Sequence, residues 1–480
     1  EDGAGGAGYV VPTGPMERTF HLTQAALREH LPEATAAQIY NLELGATGPY
    51  GVTYSRNGRH CLLFSRRAGS DGKAGHLAHF DAHRRALSGG EVFVGETVRD
   101  AVFLHNETLY AAAQKKHVYI YDARGTEIHR MEQHRDVMKM AFLPYHFLLG
   151  TVGRAGYLKY QDTSTGQLVS EHRTRLGPCH ALALDPQTAV LHAGHANGTV
   201  TLWSPSSSKA LVKLLCHRGP LSDLAVDRSG RYLATTGADR TCAIWDVRTY
   251  RKLHEYKTGR APASSCDLSH RGTLALAVGD EVTFYKDACA THQEKPYLRH
   301  RLPRDTANGS RGYAHVRFRP YEDVCGIGHG GGFASVVVPG CGEPHFDSSE
   351  GADPFRSVRD RREEEVRQLL DKLSPETIAL DPDAVGRVER EHGKVEQEEE
   401  AQEEEGGEAG GEAKKREKNR KRGRNKTAKK LGRKRKNVVD AQTVMLREKL
   451  GKERTEREAK KKGGGGEAGA GEADVIVEAP

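Results

Sequence analysis

Long apolar runs and closely spaced cysteines are both missing from this 480-residue sequence. No stretch approaches the roughly 18 apolar residues that a membrane-spanning helix needs, so we expect a soluble protein with no membrane partner. The eight cysteines contain no C-x-x-C pair, which argues against a zinc ribbon or a disulfide framework and indicates free thiols in a reducing compartment. Apolar residues make up 37% of the chain and charged residues 29%, so we expect part of it to lie outside a packed core.

Motifs for catalysis and cofactor binding are also missing, including the P-loop, the dinucleotide fingerprint and the kinase set. His329-Gly330-Gly331-Gly332 imitates an esterase oxyanion motif, but no G-x-S-x-G nucleophile accompanies it, so these glycines are expected to form a turn between two strands. Two groups of potential metal ligands fit no zinc template: Cys179, His180, His192 and His195, which are expected not to converge, and His76, His79 and His83, which are expected at the surface or in turns. The sequence therefore predicts no enzyme, no cofactor, no metal site and no small-molecule substrate.

A repeat of about 40 residues organises the first 340 positions. Short apolar runs end in an aromatic or β-branched residue, and these ends follow one another at steps of 39 to 43 residues with one longer last step: Phe80, Tyr121, Tyr160, Trp203, Trp245, Tyr285 and Val336. Four short strands per repeat are typical of a propeller blade. The alternative is an ordinary sandwich with coincidental spacing. We predict an all-β, seven-bladed WD40 β-propeller over residues 39–340, closed by IYNLEL (residues 39–44) as the outer strand of the last blade.

The stretch TTGADRTCAIWDV (residues 235–247) contains the one Trp-Asp pair of the chain. Four residues occupy the positions of the buried hydrogen-bond chain of a WD40 blade: His217, Thr235, Asp239 and Trp245. In such a chain the Asp accepts from the His, the His contacts the hydroxyl, and the hydroxyl contacts the indole N–H. The preceding repeat has Asn197 and Trp203 but Ala193 in place of the hydroxyl, and the other repeats are expected to have lost most of the polar set.

The composition changes beyond the repeats. We expect an N-terminal arm over residues 1–38 that is partly helical or disordered, a C-terminal segment over 341–385, and an acidic and then basic low-complexity tail over 386–480 that is largely disordered. The C-terminal segment carries five apolar residues at helical spacing: Val358, Val366, Leu369, Leu370 and Leu373. This pattern predicts an amphipathic helix that either packs on the propeller or docks a partner, and the sequence leaves both open.

The basic part of the tail, residues 414–436, contains fifteen Lys or Arg residues and one Glu. Such a block can neutralise many phosphates, and the same residues can serve as a nuclear or nucleolar localisation signal. A merely solvated charge run is the alternative. The candidates for RNA binding or nucleolar targeting are Lys414, Lys415, Arg416, Arg420, Lys421, Arg422, Arg424, Lys429, Lys430, Arg433, Lys434, Arg435 and Lys436.

Residues 321–382 carry a more specific signal than the repeats. Gly326-Ile327-Gly328-His329, the Pro339-Gly340-x-Gly342-Glu343-Pro344 run, Phe346-Asp347-Ser348 and the EVRQLLDKLSPE helix at 365–376 resemble the WD repeat-containing protein 46 family, which are nucleolar WD40 proteins of the small-subunit processome. The resemblance extends over residues 35–460. The N-terminal arm is short beside that of the family.

The resemblance implies a non-catalytic ribonucleoprotein scaffold in ribosome biogenesis, located in the nucleolus of the nucleus. Its implied partners are processome proteins, U3 small nucleolar RNA and pre-rRNA, and its implied role is support of pre-18S rRNA processing and 40S assembly. For partner docking we single out Gly342, Glu343, Pro344, Phe346, Asp347, Leu369, Leu370 and Leu373. The alternative is a WD40 substrate receptor of a ubiquitin ligase or a reader of chromatin peptides.

Overall fold

The structure is a computed structural model that describes residues 8–12, 14, 17–44, 48–66, 74–259, 261–302, 314–343, 357–380, 449–452 and 454–455. The chain divides into two units, residues 1–388 and 389–480. Within the described residues, every strand and helix with assigned bounds lies in the first unit. No helix in this described part has the length and apolar character that crossing a membrane would require.

Seven four-stranded antiparallel sheets form the first unit, and each is one blade. Blade 1 contains β2 to β5: Tyr50–Tyr54, His60–Ser65, His76–Asp81 and Ala86–Phe93. Blade 2 contains β6 to β9: Asp100–Phe103, Leu109–Ala113, His117–Asp122 and Glu127–Arg135. Blade 3 contains β10 to β13: Val137–Leu143, Leu148–Gly153, Tyr157–Asp162 and Leu168–Arg173. Blade 4 contains β14 to β17: Cys179–Leu184, Leu191–His195, Thr199–Trp203 and Val212–Leu215.

The remaining blades complete the ring. Blade 5 contains β18 to β21: Leu221–Val226, Tyr232–Gly237, Thr241–Asp246 and Arg251–Lys257. Blade 6 contains β22 to β25: Ser265–Leu268, Leu274–Val278, Glu281–Tyr285 and Leu298–Arg301. Blade 7 contains β26 to β28, His315–Phe318, Val324–Gly328 and Gly332–Val337, together with the early strand β1, Tyr40–Glu43.

The ring is closed by β1, which pairs antiparallel with β28 so that Tyr40 lies opposite Ser335 and Glu43 opposite Gly332. The first strand of each blade contacts the first strand of the next all the way round, including β26 against β2, so these strands form the inner wall. All seven run ends identified in the sequence lie in the third strand of a blade. The predictions of an all-β, seven-bladed propeller and of its closing strand are confirmed.

The N-terminal arm lies along blades 6 and 7. It contains a 3₁₀ turn, Thr19–His21, and two short helices, α1 (Gln24–His30) and α2 (Glu33–Ala36). The Gln24 side chain pairs with the backbone of Val337 like a short strand, accepting from its N–H and donating to its carbonyl, both at 3.0 Å. Tyr9 is buried among apolar residues of the last two blades, and its hydroxyl lies 3.2 Å from that of Thr273. These contacts fasten the arm beside the closing strand.

The core lies between the blades rather than within each one, because one sheet buries its face against the next. The largest apolar cluster joins blades 3, 4 and 5 and includes Trp203 and Trp245. It also includes Ile378, which comes from the chain after the propeller. After β28 the described chain continues to residue 343 and resumes at 357, where it forms α3, Val358–Leu370, and then a 3₁₀ turn at Pro375–Thr377. All eight cysteines are free thiols.

Candidate docking surface

The four residues chosen for a polar chain in blade 5 lie in contact with one another. His217 Nδ1 lies 3.0 Å from a carboxylate oxygen of Asp239, and its Nε2 lies 2.8 Å from the hydroxyl of Thr235. The indole N–H of Trp245 donates to the same hydroxyl at 3.1 Å. Because a carboxylate only accepts, Nδ1 of His217 donates to Asp239. Burial opposes ionisation of Asp239, but hydrogen bonds from Thr241 and His217 hold the pKa of that carboxyl below its usual value.

Blade 4 has an equivalent chain in which the hydroxyl comes from the neighbouring strand, at the position paired with Ala193. In blade 5 the cross-strand pair is Thr235 and Ala243; in blade 4 the corresponding pair is Ala193 and Thr201. Trp203 Nε1 donates to Thr201 Oγ1 at 2.8 Å, and His195 Nε2 lies 2.7 Å from the same oxygen. The absence of a hydroxyl at position 193 therefore does not remove the network.

Blade 3 contains a third chain, which the sequence analysis missed. His134 Nδ1 lies 2.7 Å from the Thr151 hydroxyl, and its Nε2 lies 2.6 Å from Gln161 Oε1. Gln161 faces Leu149 across the ladder as Trp245 faces Leu233, so Gln161 and not Tyr160 takes the tryptophan position. The spacing of these residues in the sequence could have identified this chain. His134 lies 17 residues before Thr151 and 27 before Gln161, and in blade 5 His217 lies 18 residues before Thr235.

Carboxylates on the inner strands join neighbouring blades. Asp100 accepts from the amide of Met140 at 2.9 Å, Asp223 from that of Cys266 at 3.3 Å, and Asp267 from that of Phe318 at 2.6 Å. Each bond runs from one blade to the next. Burial opposes the ionisation of Asp223, yet Arg317 and Lys139 outweigh it and hold its pKa below the usual value. These residues have a structural role that no repeat pattern revealed.

Residues 371–380 form a strap across blades 3 and 4. The ammonium of Lys372 contacts the Asp162 carboxylate and lies 2.8 Å from the Ser164 hydroxyl, while the amide of Leu373 donates to the carbonyl of Tyr145 at 2.9 Å. Further along the strap, the Thr377 hydroxyl lies 3.0 Å from His146 Nε2. The Ser204 hydroxyl of blade 4 donates to the carbonyl of Ile378 at 2.7 Å. The Ile378 side chain is 2% exposed. The strap is thus fixed to the propeller by backbone, polar and apolar contacts.

Helix α3 precedes the strap and begins with a capping box between Ser357 and Asp360. One side of it contacts blade 2, where Asn106 donates to Glu365 at 2.9 Å. Three of its apolar residues and Leu373, which follows the helix, face solvent: the exposed fractions are 56% for Val366, 47% for Leu369, 80% for Leu370 and 46% for Leu373. We call these four residues the apolar ridge. The helix therefore rests on the propeller through polar contacts while its ridge is left uncovered by the described residues.

Of the docking candidates outside the apolar ridge, the structure describes Gly342 and Glu343. Gly342 lies against blade 7: its amide donates to Asp323 at 2.7 Å, and a Cβ there would fall 2.6 Å from the carbonyl oxygen of Tyr321. Glu343 Oε2 lies 3.5 Å from His270 Nδ1. Pro344, Phe346 and Asp347 lie outside the described residues, as does the whole basic block from Lys414 to Lys436.

The histidine and cysteine groups differ from their expectations in two respects. Cys179 and His195 do converge, with 3.3 Å between Sγ and Nδ1, because the first two strands of blade 4 place them opposite each other. His76 and His79 are buried on β4 rather than exposed, since this strand lies inside blade 1; His83 is exposed. Among the described residues no cluster of His, Cys, Asp and Glu is arranged to hold a metal ion. His329 and the following glycines form the turn between β27 and β28.

A closed seven-bladed ring with a His–Thr–Trp chain and a C-terminal strap defines a WD40 propeller protein with a specialised C-terminal segment. Family models agree: residues 208–246 match the WD domain, G-beta repeat, and residues 296–381 match the BING4CT (NUC141) domain. U3 small nucleolar RNA-associated protein 7 of Saccharomyces cerevisiae is 42% identical over 80% of this chain and 69% of its own length. The chain belongs to the family of this protein and of WD repeat-containing protein 46.

Two further relatives support the assignment. WD repeat-containing protein 46 of Caenorhabditis elegans is 39% identical over 82% of this chain, and that of Homo sapiens is 41% identical over 79%. The chain spans 65% and 61% of the lengths of these two relatives. The resemblance drawn from residues 321–382 is confirmed.

Proposed function

We propose that this protein is a non-catalytic scaffold of the small-subunit processome in the nucleolus, where it supports pre-18S rRNA processing and 40S assembly. The apolar ridge of α3 carries the proposal. Three large apolar side chains on one short helix, and that of Leu373 just after it, are uncovered, while the strap and Asn106 fix that helix to the ring. Exposed apolar patches of this kind are typical of protein–protein contact sites.

Two further observations support this assignment. The family relatives are named for association with U3 small nucleolar RNA in yeast and for WD repeats in animals. The block at residues 414–436 carries fifteen basic residues, enough to neutralise many phosphates of an RNA. In this proposal the ridge binds a protein neighbour, and the basic block binds U3 or precursor rRNA and directs the chain to the nucleolus.

The ridge is tested by replacing Leu369 and Leu370 with serine and purifying the full chain from growing cells. The matched control replaces Leu87 and Ile128, which have similar exposure on outer strands of blades 1 and 2. We expect the ridge variant to recover several-fold less U3 RNA and fewer processome proteins, and the control to match the parent. Equal recovery by both variants contradicts the docking role, and recovery of histones or a ligase adaptor without U3 contradicts the processome assignment.

The basic block is tested separately on purified protein. Replacing the thirteen candidate lysines and arginines with glutamine should weaken RNA binding and reduce the dependence of the affinity on salt, because fewer counterions are released. The unfolding transition of the propeller should not change. Unaltered RNA affinity would show that the block is not the RNA contact.

A further inference from the structure

A cleft of about 720 Å³ lies on one side of the ring. The cleft lies where the inner strands of blades 1 to 5 end, because the residues after β2, β6, β10, β14 and β18 all line it. Antiparallel order places the first-to-second turn of every blade, and the third-to-fourth turns of blades 1 to 6, on this same side.

The walls of the cleft are mainly apolar. Phe103, Leu104, Phe142, Leu143 and Pro144 form part of the lining from blades 2 and 3. The strap supplies another part of the wall through Leu373, Thr377 and Ala379. A pocket of this volume with apolar walls can accept one large apolar side chain together with the backbone around it.

Two arginines at the cleft are held by tyrosines of other blades. The Arg56 guanidinium of blade 1 lies 4.6 Å from the ring centre of Tyr145 in blade 3, and it also donates to that hydroxyl. The Arg228 guanidinium of blade 5 lies 4.5 Å from the ring centre of Tyr321 in blade 7, again with a hydrogen bond to the hydroxyl. Stacking orders each guanidinium, and Nη1 of Arg228 also lies 3.2 Å from His270 Nε2, so each arginine keeps some of its five N–H donors for a ligand.

The charge at the cleft is positive. Asp185 is the one acidic residue among the described residues that line it, and its carboxylate is engaged within its own turn by the amide of Gln187 at 2.9 Å and the hydroxyl of Thr188 at 2.6 Å. Within the described part of the chain, neither Arg56 nor Arg228 forms an ion pair with a carboxylate. Two ordered cations thus border an apolar cavity in which Asp185 is the one carboxylate among the described lining residues.

We propose that this cleft binds an acidic peptide segment of a partner protein. One aliphatic or aromatic side chain of the peptide enters the apolar cavity, and carboxylates on either side of it bind the edges of Arg56 and Arg228, which can hold a carboxylate in a bidentate manner. RNA fits less well: stacking of bases needs open aromatic faces, and the guanidiniums already cover a face of Tyr145 and of Tyr321. The site is separate from Leu369 and Leu370 and does not depend on the processome assignment.

The test uses the full-length protein and a phage-displayed library of random 12-residue peptides. We expect the parent to enrich peptides with acidic residues around one large apolar residue, and the variant R56S/R228S not to enrich them. The control R124S/R248S removes the same charge from two exposed turns on the same side of the ring. The basic block at 414–436 attracts acidic peptides in all three proteins, so the difference between the variants isolates the cleft.

Affinity is then measured by fluorescence anisotropy with one enriched peptide. We expect at least ten-fold weaker binding to R56S/R228S and to A379F, which fills the cavity without changing charge, and parental binding to R124S/R248S. Enrichment of peptides without acidic residues, or equal affinity for all four proteins, overturns the proposal. Binding of a U20 RNA that depends on Arg56 and Arg228 while no peptide does so also overturns it, in favour of RNA.

Discussion

The carboxylate of Asp223 in blade 5 accepts a hydrogen bond from the backbone amide of Cys266 in blade 6, with 3.3 Å between the two atoms. The same oxygen accepts from the hydroxyl of Ser265 at 2.7 Å and lies 3.6 Å from Arg317 of blade 7. One side chain therefore connects three consecutive blades near the channel. Inter-blade contacts of this kind are what a ring needs, because a single blade cannot cover its own apolar faces.

Replacing Asp223 with alanine should lower the free energy of unfolding by about 3–5 kcal/mol, because Arg317 would lose its closer carboxylate partner inside the ring. Urea titration followed by tryptophan fluorescence measures this change. The control is D280A, which removes an exposed carboxylate from a turn of blade 6. Similar losses for both variants would show that Asp223 does not join the blades.

Thr201 should be as important in blade 4 as Thr235 is in blade 5. Valine at either position keeps the shape but removes a hydroxyl that contacts both an indole and an imidazole, so we expect each variant to lose about 1–3 kcal/mol of the free energy of unfolding. The exposed Thr126 provides a control, and T126V should change this quantity by less than about 0.5 kcal/mol. A loss for T235V but none for T201V would contradict the exchanged hydroxyl. Urea titration is again the measurement.

Buried histidines should make the propeller acid-labile. Burial lowers the pKa of His134, His192 and His195 to about 4, so below pH 6.5 the unfolded chain binds protons that the folded chain does not. The stability these groups contribute is complete above pH 6.5 and is lost as pH falls towards 4. With three such groups, the free energy of unfolding should fall by up to about 4 kcal/mol per pH unit near pH 5.

The variant H134Q should remove about one third of that slope, whereas H83Q, which changes an exposed histidine, should leave it unaltered. Urea titrations at several pH values between 7.5 and 5 give the slopes. If H134Q and the parent lose stability equally on acidification, His134 is not buried in its neutral form.

The strap should open when its apolar anchor is removed. Replacing Ile378 with serine removes a side chain that is 2% exposed, and the lost burial is worth about 2–3 kcal/mol. Trypsin should then cleave after Lys372 at least ten-fold faster while the propeller stays intact. L380S, at a residue 37% exposed, is the comparison. Unchanged cleavage in I378S would mean that the polar contacts hold the strap alone.

The repeat was readable from sequence because each blade contributes one aromatic or β-branched residue near the end of its third strand, a local property that recurs along the chain. The rewired networks were not readable. Thr201 replaces the missing hydroxyl from across a ladder, and a cross-strand partner is known only once the register is known. We aligned the third repeat on Tyr160 because it is aromatic, yet Tyr160 lies one residue before the network position. Since successive strand residues face opposite sides of the sheet, its side chain does not point towards the network.

The C-terminal segment shows another limit. Helical spacing located the apolar residues of α3, but the same spacing suits a helix that packs inward and one that faces outward. The outcome was decided by neighbours distant in sequence, since Asn106 and Tyr145 receive the polar side of the segment. The cleft could not be predicted from the sequence for the same reason. Arg56 and Tyr145 are in contact only because the ring brings blades 1 and 3 to the same cleft.

Closure by β1 means that the ring can close only late in the synthesis of the chain. About 290 residues lie between Glu43 and its partner Gly332, so at ordinary translation rates β1 waits about 15 to 60 s for its neighbour to leave the ribosome. Every shorter nascent chain has an open ring with unpaired edges. Helix α3 and the strap are made only after β28, so a chain that stops before β28 has the closing strand β1 but lacks both the partner of that strand and the docking helix.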